Sequence, residues 1–576
     1  MALVVAAGAL FFFRLGAMPL SDRDEGEYAA AVSAMQKSGD YVIPRLNGQP
    51  YLEKPILIFW AVAGARALGL PGETAARLPS ALSAFALTLF MVWLAMFVSG
   101  SLPLAVLCGA ACAFTPLMAL VGRACLTDML LTLFTTASLG TFFVAGEKPP
   151  PEDRPWYLAS WACLGLGFLT KGPVALAVVL PTALIYALWQ RRLWSTLRRC
   201  QLHWGLLIFL GINLPWYGLA FHRAGEEFWK AFFVSQNLRR FSEELLGHGG
   251  GLLYYLPVLL LGGFPFSAAA LPALGSALFK NRKAARQAEA LARLRLLAAV
   301  TVLVVLLAFT LAATKQINYV LPAMPFLALL SGYALWRFSA GEAQGRLARA
   351  VFWSALTLFG LLWLLAFLAV PVGLPWFWDK VLASIRPDSS EYALPTEAPR
   401  LWLWPLLGAL AGAMCWALPR LLARAGRMRL LGPTLGLTGL SLSAALTLGL
   451  LPQAATLVQE PARRMATEIL AKLPPDARVV SYGLWKPSLL YYLGREVPRL
   501  RVEQRPEIER LLGQDQPEGL PLAILTRASL AEALEQTPGF KILATYQGYL
   551  LGGDESAARL WAAPAQDKLG LPGAGS

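Results

Sequence analysis

An apolar run and an acidic octapeptide meet in residues 1–28, which read MALVVAAGALFFFRLGAMPLSDRDEGEY. About 20 apolar residues are enough for a helix to cross the hydrocarbon core of a bilayer. Residues 1–19 have that length, and they lack the charged start and the clear small-residue cleavage site of a removable signal. We therefore expect a first membrane span that is retained, with the acidic octapeptide opening a loop outside the membrane.

Further apolar runs of similar length follow along the chain, so the sequence predicts an all-α polytopic membrane protein with about 13 transmembrane helices. The least distinct pair lies on either side of Lys171-Gly172-Pro173, which separates two short runs. The spans are expected at residues 1–19, 80–98, 103–121, 129–146, 156–170, 173–190, 203–221, 252–275, 296–313, 320–336, 350–372, 401–418 and 430–451.

The composition agrees with a membrane protein and disfavours nucleic-acid binding. Hydrophobic residues make up 57% of the chain and charged residues 15%, against roughly 25% charged residues in soluble domains. The net charge of +15 comes from basic residues that cluster in short loops between apolar runs. Such clusters fix topology and meet anionic lipid headgroups, so the basic balance does not indicate a nucleic-acid partner.

The basic loops predict the orientation. Gln190–Arg199 contains four Arg, Lys280–Arg295 six basic residues, Arg337–Arg349 three and Arg420–Arg429 four. The loops on the other side are acidic or poor in charge, apart from isolated bases. Because Lys and Arg are retained on the cytoplasmic side, we expect a cytoplasmic N-terminus and a C-terminus outside.

The six cysteines lie mostly inside or beside apolar runs. They show no Cys-x-x-Cys spacing, and the C-terminal part of the chain has none. We expect them to be packing residues rather than disulfide partners or metal ligands.

Two outer segments are too long to be simple connections. The first, at residues 20–79, contains two amphipathic stretches, Gly26–Lys37 and Ile56–Leu68, which predict juxtamembrane helices. The second, at residues 453–576, alternates helical and strand patterns, with a helix at Pro461–Leu473 and strands at Arg478–Tyr482, Leu522–Thr526 and Ile542–Leu551. The sequence therefore predicts a transmembrane domain at residues 1–452 and a small soluble α/β domain at residues 453–576.

The first outer loop carries the residues of greatest chemical interest. Four carboxylates within residues 22–27 either complement a helix N-terminus or supply a base or orienting group to a site. Residues 44–55 combine turn residues, two amides and the pair Glu53-Lys54 ahead of an apolar helix. The Lys54 ammonium is either an interfacial anchor or a ligand for a phosphate at headgroup depth.

Several of these motifs resemble the protein-mannosyltransferase-related GT-C glycosyltransferases, and within that superfamily the bacterial aminoarabinose transferases. The most characteristic are DEGEY at residues 24–28 and YLEKP at residues 51–55. The resemblance covers residues 1–330 by motif and the remainder by layout. The other matching segments are residues 39–48, 77–80, 127–131, 165–173, 213–217, 236–241 and 315–322.

The resemblance implies a GT-C fold and an enzyme that uses a sugar linked to a polyprenyl phosphate. For aminoarabinose transferases it implies transfer of 4-amino-4-deoxy-L-arabinose from undecaprenyl phosphate to a lipid A phosphate, which confers resistance to polymyxin and other cationic antimicrobial peptides. Asp24 matches the catalytic carboxylate. An ionised phosphate acceptor needs an orienting group, whereas a hydroxyl acceptor needs a general base, and both roles stay open.

The phosphate of such a donor requires cations that stabilise the charge of the leaving group. The expected substrate and phosphate ligands are Lys54, Tyr28, Tyr51, Arg123, Arg240, Lys315 and Tyr319, although each base is equally an ordinary interfacial anchor. The resemblance allows a divalent metal such as zinc or magnesium on Glu53 and His248. The sequence contains no Gly-rich phosphate loop, so we expect no nucleotide cofactor.

We thus expect a monomer in the bacterial inner membrane, with its site and soluble domain on the periplasmic side. Its partners would be the donor, lipid A and membrane lipids. One alternative is a transferase for another polyprenyl-linked sugar, or for a protein or glycan hydroxyl acceptor. A lipid transporter is a further alternative, which the position of the ionisable residues at span ends disfavours.

Overall fold

The computed structural model describes residues 1–244, 249–280, 289–341, 345–376, 378, 397, 399, 401–513 and 520–563. Its α-helices are Ala2–Phe12, Glu25–Ser38, Leu57–Ala67, Gly72–Ser99, Leu102–Ala113, Pro116–Gly122, Thr127–Glu147, Arg154–Lys171, Pro173–Trp189, Leu193–Arg199, Leu202–Phe228, Arg240–Ser242, Tyr255–Gly262, Ser267–Gly275, Ala290–Leu311, Met324–Ser339, Arg346–Leu368, Leu403–Arg424, Leu431–Ala444, Leu451–Lys472, Pro487–Leu493, Arg505–Gly513, Ala531–Glu535 and Glu555–Ala562. Short 3-10 or π segments are Trp229–Arg239, Ser276–Lys280, Ile317–Ala323, Ala369–Gly373, Met428–Leu430, Ala445–Leu450, Val502–Gln504 and Ala528–Leu530.

The predicted membrane spans each coincide with a helix or a pair of helices. Within the described ranges, eight helices are long and apolar enough to cross a membrane. A ninth span results if Leu102–Ala113 and Pro116–Gly122, which meet at 63°, form one bent span. The remaining predicted runs, at residues 1–19, 156–170, 173–190 and 252–275, lie on helices that are too short or too polar to meet that measure.

The first outer segment folds as the amphipathic pattern predicts. Its two helices are Glu25–Ser38 and Leu57–Ala67, close to the expected bounds. Between them a small antiparallel hairpin pairs Arg45–Leu46 with Gln49–Pro50. Its turn is Asn47-Gly48, with φ of 52° and 78°, which is the left-handed backbone that a two-residue hairpin turn requires. The hairpin turn brings Tyr51 to Lys54 back towards the helix Glu25–Ser38.

The C-terminal segment forms a mixed five-stranded sheet. The strand order is Arg499–Leu500, Arg478–Tyr482, Leu522–Arg527, Tyr549–Gly553 and Lys541–Tyr546. The first three strands are parallel and the last two are antiparallel to their neighbours. Apolar side chains pack on both faces of this sheet, as expected for an α/β domain.

Two details of the soluble segment differ from the sequence-based expectation. The single strand expected at Ile542–Leu551 is wrong, because the chain reverses at Gln547-Gly548 and forms two strands. The helix expected at Pro461–Leu473 is the end of a longer helical stretch that continues from the membrane-embedded part, through residues 428–472. The predicted boundary at residue 452 therefore falls inside this stretch, and the division into two domains stays a prediction.

A buried ion pair connects the acidic loop to the membrane domain. Arg77, which is 1% exposed, donates to both carboxylate oxygens of Glu25 at 2.9 Å. It also donates to the carbonyls of Leu15, Met18 and Pro19, at the end of the first apolar run. One guanidinium thus joins the segment that follows the first helix to the start of the helix Glu25–Ser38.

The Glu25 carboxylate is fully satisfied in return. It accepts hydrogen bonds from the backbone N–H groups of Ser21 and Cys125, at 3.1 and 2.9 Å. Burial by itself raises the pKa of this carboxyl group, but the Arg77 guanidinium and these N–H groups hold the pKa below its ordinary value. Glu25 is therefore a structural residue, although it lies next to Asp24.

We predict that Glu25→Gln lowers the free energy of unfolding by about 3–5 kcal/mol, because Arg77 would stay buried without a counter-charge. Thermal unfolding of the detergent-purified protein measures this loss. The control is Glu226→Gln, which removes an exposed i,i+4 pair with Lys230 and should cost less than about 1 kcal/mol. Equal unfolding midpoints of the two variants would contradict the assigned role of Glu25.

Candidate active site

A polar cavity of about 290 Å³ lies where the first outer loop, the outer ends of several spans and the soluble segment meet. Its wall contains carboxylates and cations in similar numbers, which is unusual for an enclosed space at a membrane surface. The lining residues are Asp22, Arg23, Asp24, Glu27, Tyr28, Glu53, Lys54, Thr127, Asp128, Lys171, Arg240, Gln316, Asn318, Tyr319, Trp485 and Pro487.

Asp24 occupies the N-cap position of the helix Glu25–Ser38. Its side chain does not cap that helix and instead accepts a hydrogen bond of 2.8 Å from the Tyr28 hydroxyl, one turn further along. Burial, with the nearby Asp24 charge as a second cause, raises the pKa of Tyr28 well above its usual value, so the phenol stays protonated as a donor. The Tyr28 hydroxyl therefore orients the Asp24 carboxylate at the cavity wall.

Lys54 reaches the same cavity from the end of the hairpin segment, three residues before the helix Leu57–Ala67. Desolvation lowers the pKa of its ammonium group. The charge of Asp24 opposes this shift, whereas the charge of Arg240 adds to it. An anion bound beside Lys54 and Arg240 would relieve their repulsion, so the wall favours a phosphate there.

The remaining cations stand on the opposite helices. Lys171 forms an ion pair of 2.7 Å with Asp128, and its ammonium lies 4.9 Å from the centre of the Tyr319 ring. Arg240 donates to the Tyr319 hydroxyl at 3.2 Å. Tyr319 thus holds both cations in place, and Lys54, Lys171 and Arg240 form what we call the cationic wall.

Glu27 is the titratable carboxylate of the site. Its pKa is raised to about 7: burial is the largest cause, a hydrogen bond of 2.8 Å from the Tyr51 hydroxyl partly offsets it, and the charges of Asp24 and Glu53 add to the increase. Tyr51 does not line the cavity but supports Glu27 from behind. Near neutral pH the Glu27 carboxyl group can therefore either donate or accept a hydrogen bond.

The soluble segment closes the cavity from above. Lys486 and Ser488 both bond to the Asp22 carboxylate, and the ion pair is almost fully buried. Burial lowers the pKa of Lys486, but the Asp22 charge outweighs it and raises the pKa above its ordinary value. The neighbouring residues Trp485 and Pro487 then line the cavity.

An apolar groove of about 390 Å³ adjoins the polar cavity. The two share the cationic wall together with Glu53 and Tyr319. The rest of the groove is formed mainly by apolar side chains from the helices at its sides, namely Pro173, Val174, Ala177, Val178, Phe232, Phe233, Leu238, Phe241, Ala308, Phe309 and Ala312.

A third cavity, of about 630 Å³, approaches Asp24 from another side. It shares Arg23, Asp24, Gln316 and Asn318 with the polar cavity. Its outer part lies against the helix Leu451–Lys472. Asp24 therefore stands between two spaces, of which one leads to the apolar groove and the other to this larger cavity.

Two predicted phosphate ligands have other bonding partners. Arg123 donates to four carbonyls at the end of the first helix, from Leu10 to Arg14, at 2.7–3.3 Å. Lys315 donates to the carbonyls of Thr310 and Ala312, at the end of the helix Ala290–Leu311, at 2.9 and 2.6 Å. Both line the third cavity rather than the polar one, and both complement helix C-termini.

The predicted metal pair is untested. Glu53 lines both the polar cavity and the groove, but His248 lies outside the described residues. In the described ranges, no group of three or more His, Cys, Asp or Glu side chains is placed to hold a metal ion. The metal therefore stays a prediction from the resemblance.

The structure brings further residues of the matching segments to the cavity. Asp128 and Lys171 lie 43 positions apart and still form one ion pair at the cavity wall. Glu27 and Asn318 also line the cavity. The sequence contained one signal for this pair. Asp128 directly precedes the predicted span 129–146, and Lys171 directly follows the predicted span 156–170, both at the outer side. Ionisable residues at that depth are costly and therefore indicate a site.

Comparisons with known proteins agree with this architecture. A family model described as dolichyl-phosphate-mannose-protein mannosyltransferase matches residues 22–231. An undecaprenyl phosphate-alpha-4-amino-4-deoxy-L-arabinose arabinosyl transferase of Pectobacterium carotovorum is 30% identical over 373 residues, 63% of this chain and 64% of the relative. A relative of the same description from Aeromonas salmonicida is 32% identical over 330 residues, 56% of this chain and 58% of the relative. The match spans somewhat less than two thirds of these relatives' length.

Solved structures cover nearly the whole chain. The crystal structure of ArnT from Cupriavidus metallidurans bound to undecaprenyl phosphate superposes with a TM-score of 0.77 at 24% identity, covering 98% of both chains. The apo structure of the same protein gives a TM-score of 0.75 at 25% identity, again over 98% of both chains. The predicted fold, a GT-C membrane domain with a small C-terminal α/β segment, is confirmed.

We predict a pH dependence that arises from Glu27. Because its pKa is raised from 4.5 to about 7 on folding, its contribution to stability is full below about pH 4.5 and is lost as the pH rises through about 7. Glu27→Gln should remove this loss, so the variant should unfold at a higher temperature than the parent at about pH 8. Each pKa unit corresponds to about 1.4 kcal/mol, which sets the scale of the gain.

Thermal unfolding at about pH 5 and about pH 8 measures this effect. Glu226→Gln serves as the control, because that carboxylate is exposed, and it should follow the parent at both pH values. A Glu27→Gln variant with an unchanged pH dependence would show that Glu27 titrates normally.

Proposed function

We propose that this chain, which belongs to the protein-mannosyltransferase-related superfamily of GT-C glycosyltransferases, transfers 4-amino-4-deoxy-L-arabinose from undecaprenyl phosphate to a phosphate of lipid A. The reaction takes place at the periplasmic face of the bacterial inner membrane. The observation that carries the proposal is the cationic wall, which stands at the junction of an apolar groove and a polar cavity. A lipid phosphate that carries a sugar needs this combination.

The donor's three parts fit three adjoining surfaces. The polyprenyl chain lies in the apolar groove, where its burial is favourable in proportion to the apolar area removed from water. Its phosphate lies against Lys54, Lys171 and Arg240, which both spaces share. The sugar then extends into the polar cavity, towards Asp24. A membrane protein receives such a lipid laterally, without bringing it into water.

Catalysis requires stabilisation of the leaving group. An oxygen of the acceptor phosphate forms a bond to the anomeric carbon, and the bond from that carbon to the undecaprenyl phosphate oxygen breaks with its electron pair. Negative charge therefore grows on the departing phosphate, next to the cationic wall. Fixed cations in an enclosed site stabilise that charge more strongly than water does.

The acceptor approaches from the third cavity. That cavity reaches Asp24 and Arg23 from the side of the helix Leu451–Lys472, and it does not share the cationic wall. A lipid A phosphate is already ionised near neutral pH, so Asp24 orients the reacting groups rather than removing a proton. Arg23, at the boundary of the two cavities, offsets the charge of the incoming phosphate.

The amine of the proposed sugar suits the acidic side of the cavity. Asp24, Glu27 and Glu53 line the wall, and an ammonium group near them would be electrostatically favoured. The metal ion that the resemblance allows would be held by Glu53 and His248 and would supply further positive charge. The residues described above provide a phosphate site on their own.

A hydroxyl acceptor is a second candidate, favoured by the family model, whose description names a protein mannosyltransferase. In that reaction Asp24 would remove the hydroxyl proton as a general base. Mass spectrometry of lipid A from cells with and without the protein separates the two candidates. Addition of a pentosamine supports lipid A transfer, and unmodified lipid A opposes it.

We predict that Asp24→Asn and Lys54→Ala each reduce transfer below detection while the protein still inserts and folds. Asp24 loses the charge that orients the reactants, and Lys54 no longer stabilises the leaving phosphate. Transfer is measured with purified donor and acceptor, and folding by gel filtration and thermal unfolding. Glu226→Gln and Lys230→Ala, two exposed partners near the same membrane face, should keep full activity. Activity near that of the parent in either site variant would remove the proposed site.

Arg240 and its neighbour Arg239 provide a matched pair of variants that tests the proposed site for the donor phosphate. Arg240→Gln should raise KM for the donor about 10- to 100-fold, the effect of losing about 1.5–3 kcal/mol from a charged hydrogen bond. Arg239→Gln changes the adjacent side chain, which is exposed and does not line the polar cavity or the groove, and should leave KM unchanged. Steady-state kinetics with the purified donor compares them. A similar rise in both variants would indicate general electrostatic attraction instead of a defined phosphate site.

A further inference from the structure

A small second polar cavity, of about 50 Å³, lies at the opposite ends of the helices that build the active site. The helix Thr127–Glu147 shows how far apart the two cavities are. Asp128 near its start lines the active-site cavity, and Glu147 at its end lines the small one. At 1.5 Å per residue these positions are about 28 Å apart, roughly the thickness of the hydrocarbon core. The small cavity therefore lies at the other membrane face.

The cavity carries a small excess of positive charge, because three guanidinium groups stand against the carboxylates of Glu147 and Asp153. Arg192, Arg199 and Arg293 line it together with the single carboxylate of Glu147. Arg293 donates from Nε to Glu147 at 2.8 Å. Arg199 donates at 2.8 Å to Asp153, which is not part of the lining. Among the lining side chains, the guanidinium charges therefore outnumber the carboxylate.

Polar atoms without partners point to a missing ligand. Gln190 lines the cavity and is only 7% exposed, yet neither its Nε2 nor its Oε1 has a hydrogen-bond partner within the described ranges. Nη1 of Arg293 is also buried without a partner there. Buried polar groups are almost always hydrogen-bonded, and an unmade bond of this kind is costly. Two donors, an amide and a guanidinium, thus remain available in a positively charged space.

The surroundings indicate that the ligand is a lipid. The helix Leu193–Arg199 beside the cavity has no buried residue, and its Trp194 is 66% exposed. On the preceding helix, Leu188 is 52% exposed, close to Gln190 in sequence. An amphipathic helix with an exposed Trp is typical of the membrane interface. Acyl chains would lie against these apolar side chains, with a headgroup at the level of the cavity.

We propose that this cavity binds the phosphate group of an anionic membrane phospholipid at the face opposite the active site. Gln190 and Arg293 donate to the phosphate oxygens from inside, and Arg192 neutralises the charge at the entrance. A space of this size suits a phosphate group rather than a sugar. The basic segment at residues 190–199 would then hold a specific lipid in addition to setting topology.

The test uses the purified full-length chain in detergent micelles. Thermal unfolding is followed with added phosphatidylglycerol, phosphatidylcholine or inorganic phosphate. We expect phosphatidylglycerol to raise the unfolding midpoint by about 2–4 °C, and the other two additions to leave it unchanged. Native mass spectrometry should show one retained phosphatidylglycerol. An equal shift with inorganic phosphate or phosphatidylcholine would overturn the assignment to an anionic lipid.

Three variants distinguish lipid binding at this cavity from general electrostatic attraction to the basic segment. Arg192→Ala should lose the shift and the retained lipid, whereas Arg198→Ala should keep both, because Arg198 lies on the same basic segment but does not line the cavity. Gln190→Leu should unfold at a higher temperature without lipid, since its buried amide is removed, and should no longer respond to phosphatidylglycerol. Equal losses in the two arginine variants, or a full lipid response in Gln190→Leu, would overturn the proposal.

Discussion

The bidentate pair between Arg77 and Glu25 is the contact on which the active site depends. A guanidinium that also bonds three carbonyls at the end of the first apolar run cannot move without exposing buried polar groups. The carboxylate is fixed equally well by two backbone N–H groups. Since Asp24 directly precedes Glu25, its position at the cavity wall follows from this pair. A buried ion pair adds little stability compared with apolar packing, but it fixes geometry when every donor is used.

The charges around the cavity come from segments that are far apart in the chain. Most of the acids and Lys54 come from the first outer loop, whereas Asp128, Lys171 and Arg240 come from later helices. Tyr319 holds these two cations, and Tyr28 and Tyr51 hold two of the acids. The apolar groove and the third cavity reach this centre from different sides. In the proposed reaction, donor and acceptor would therefore reach Asp24 through different spaces.

The helical pattern was readable from sequence because each amphipathic or apolar segment is a local property. The helices Glu25–Ser38 and Leu57–Ala67 begin and end within two residues of the expected positions. The hairpin at Gln547-Gly548 was missed, since two short strands with a tight turn show the same apolar pattern as one long strand. Arg123 and Lys315 were expected at the phosphate because they are isolated bases near the outer side. Their carbonyl partners are set by helix ends that the sequence does not place.

The sequence by itself determined that this chain crosses the membrane repeatedly, that its acidic loop lies next to a first span, and that Asp24 and Lys54 belong to one outer segment. Hydrophobicity, charge and local spacing are properties of neighbouring residues, so they need no three-dimensional information. Only the tertiary structure decided which cations share a wall, as Lys171 and Arg240 do. It also decided which cations, such as Arg123 and Lys315, bond to carbonyls at helix ends. Most of those partnerships join positions tens to hundreds of residues apart, and packing chooses among many bases of identical chemistry. The same packing left the Gln190 side-chain amide without a hydrogen-bond partner among the described residues.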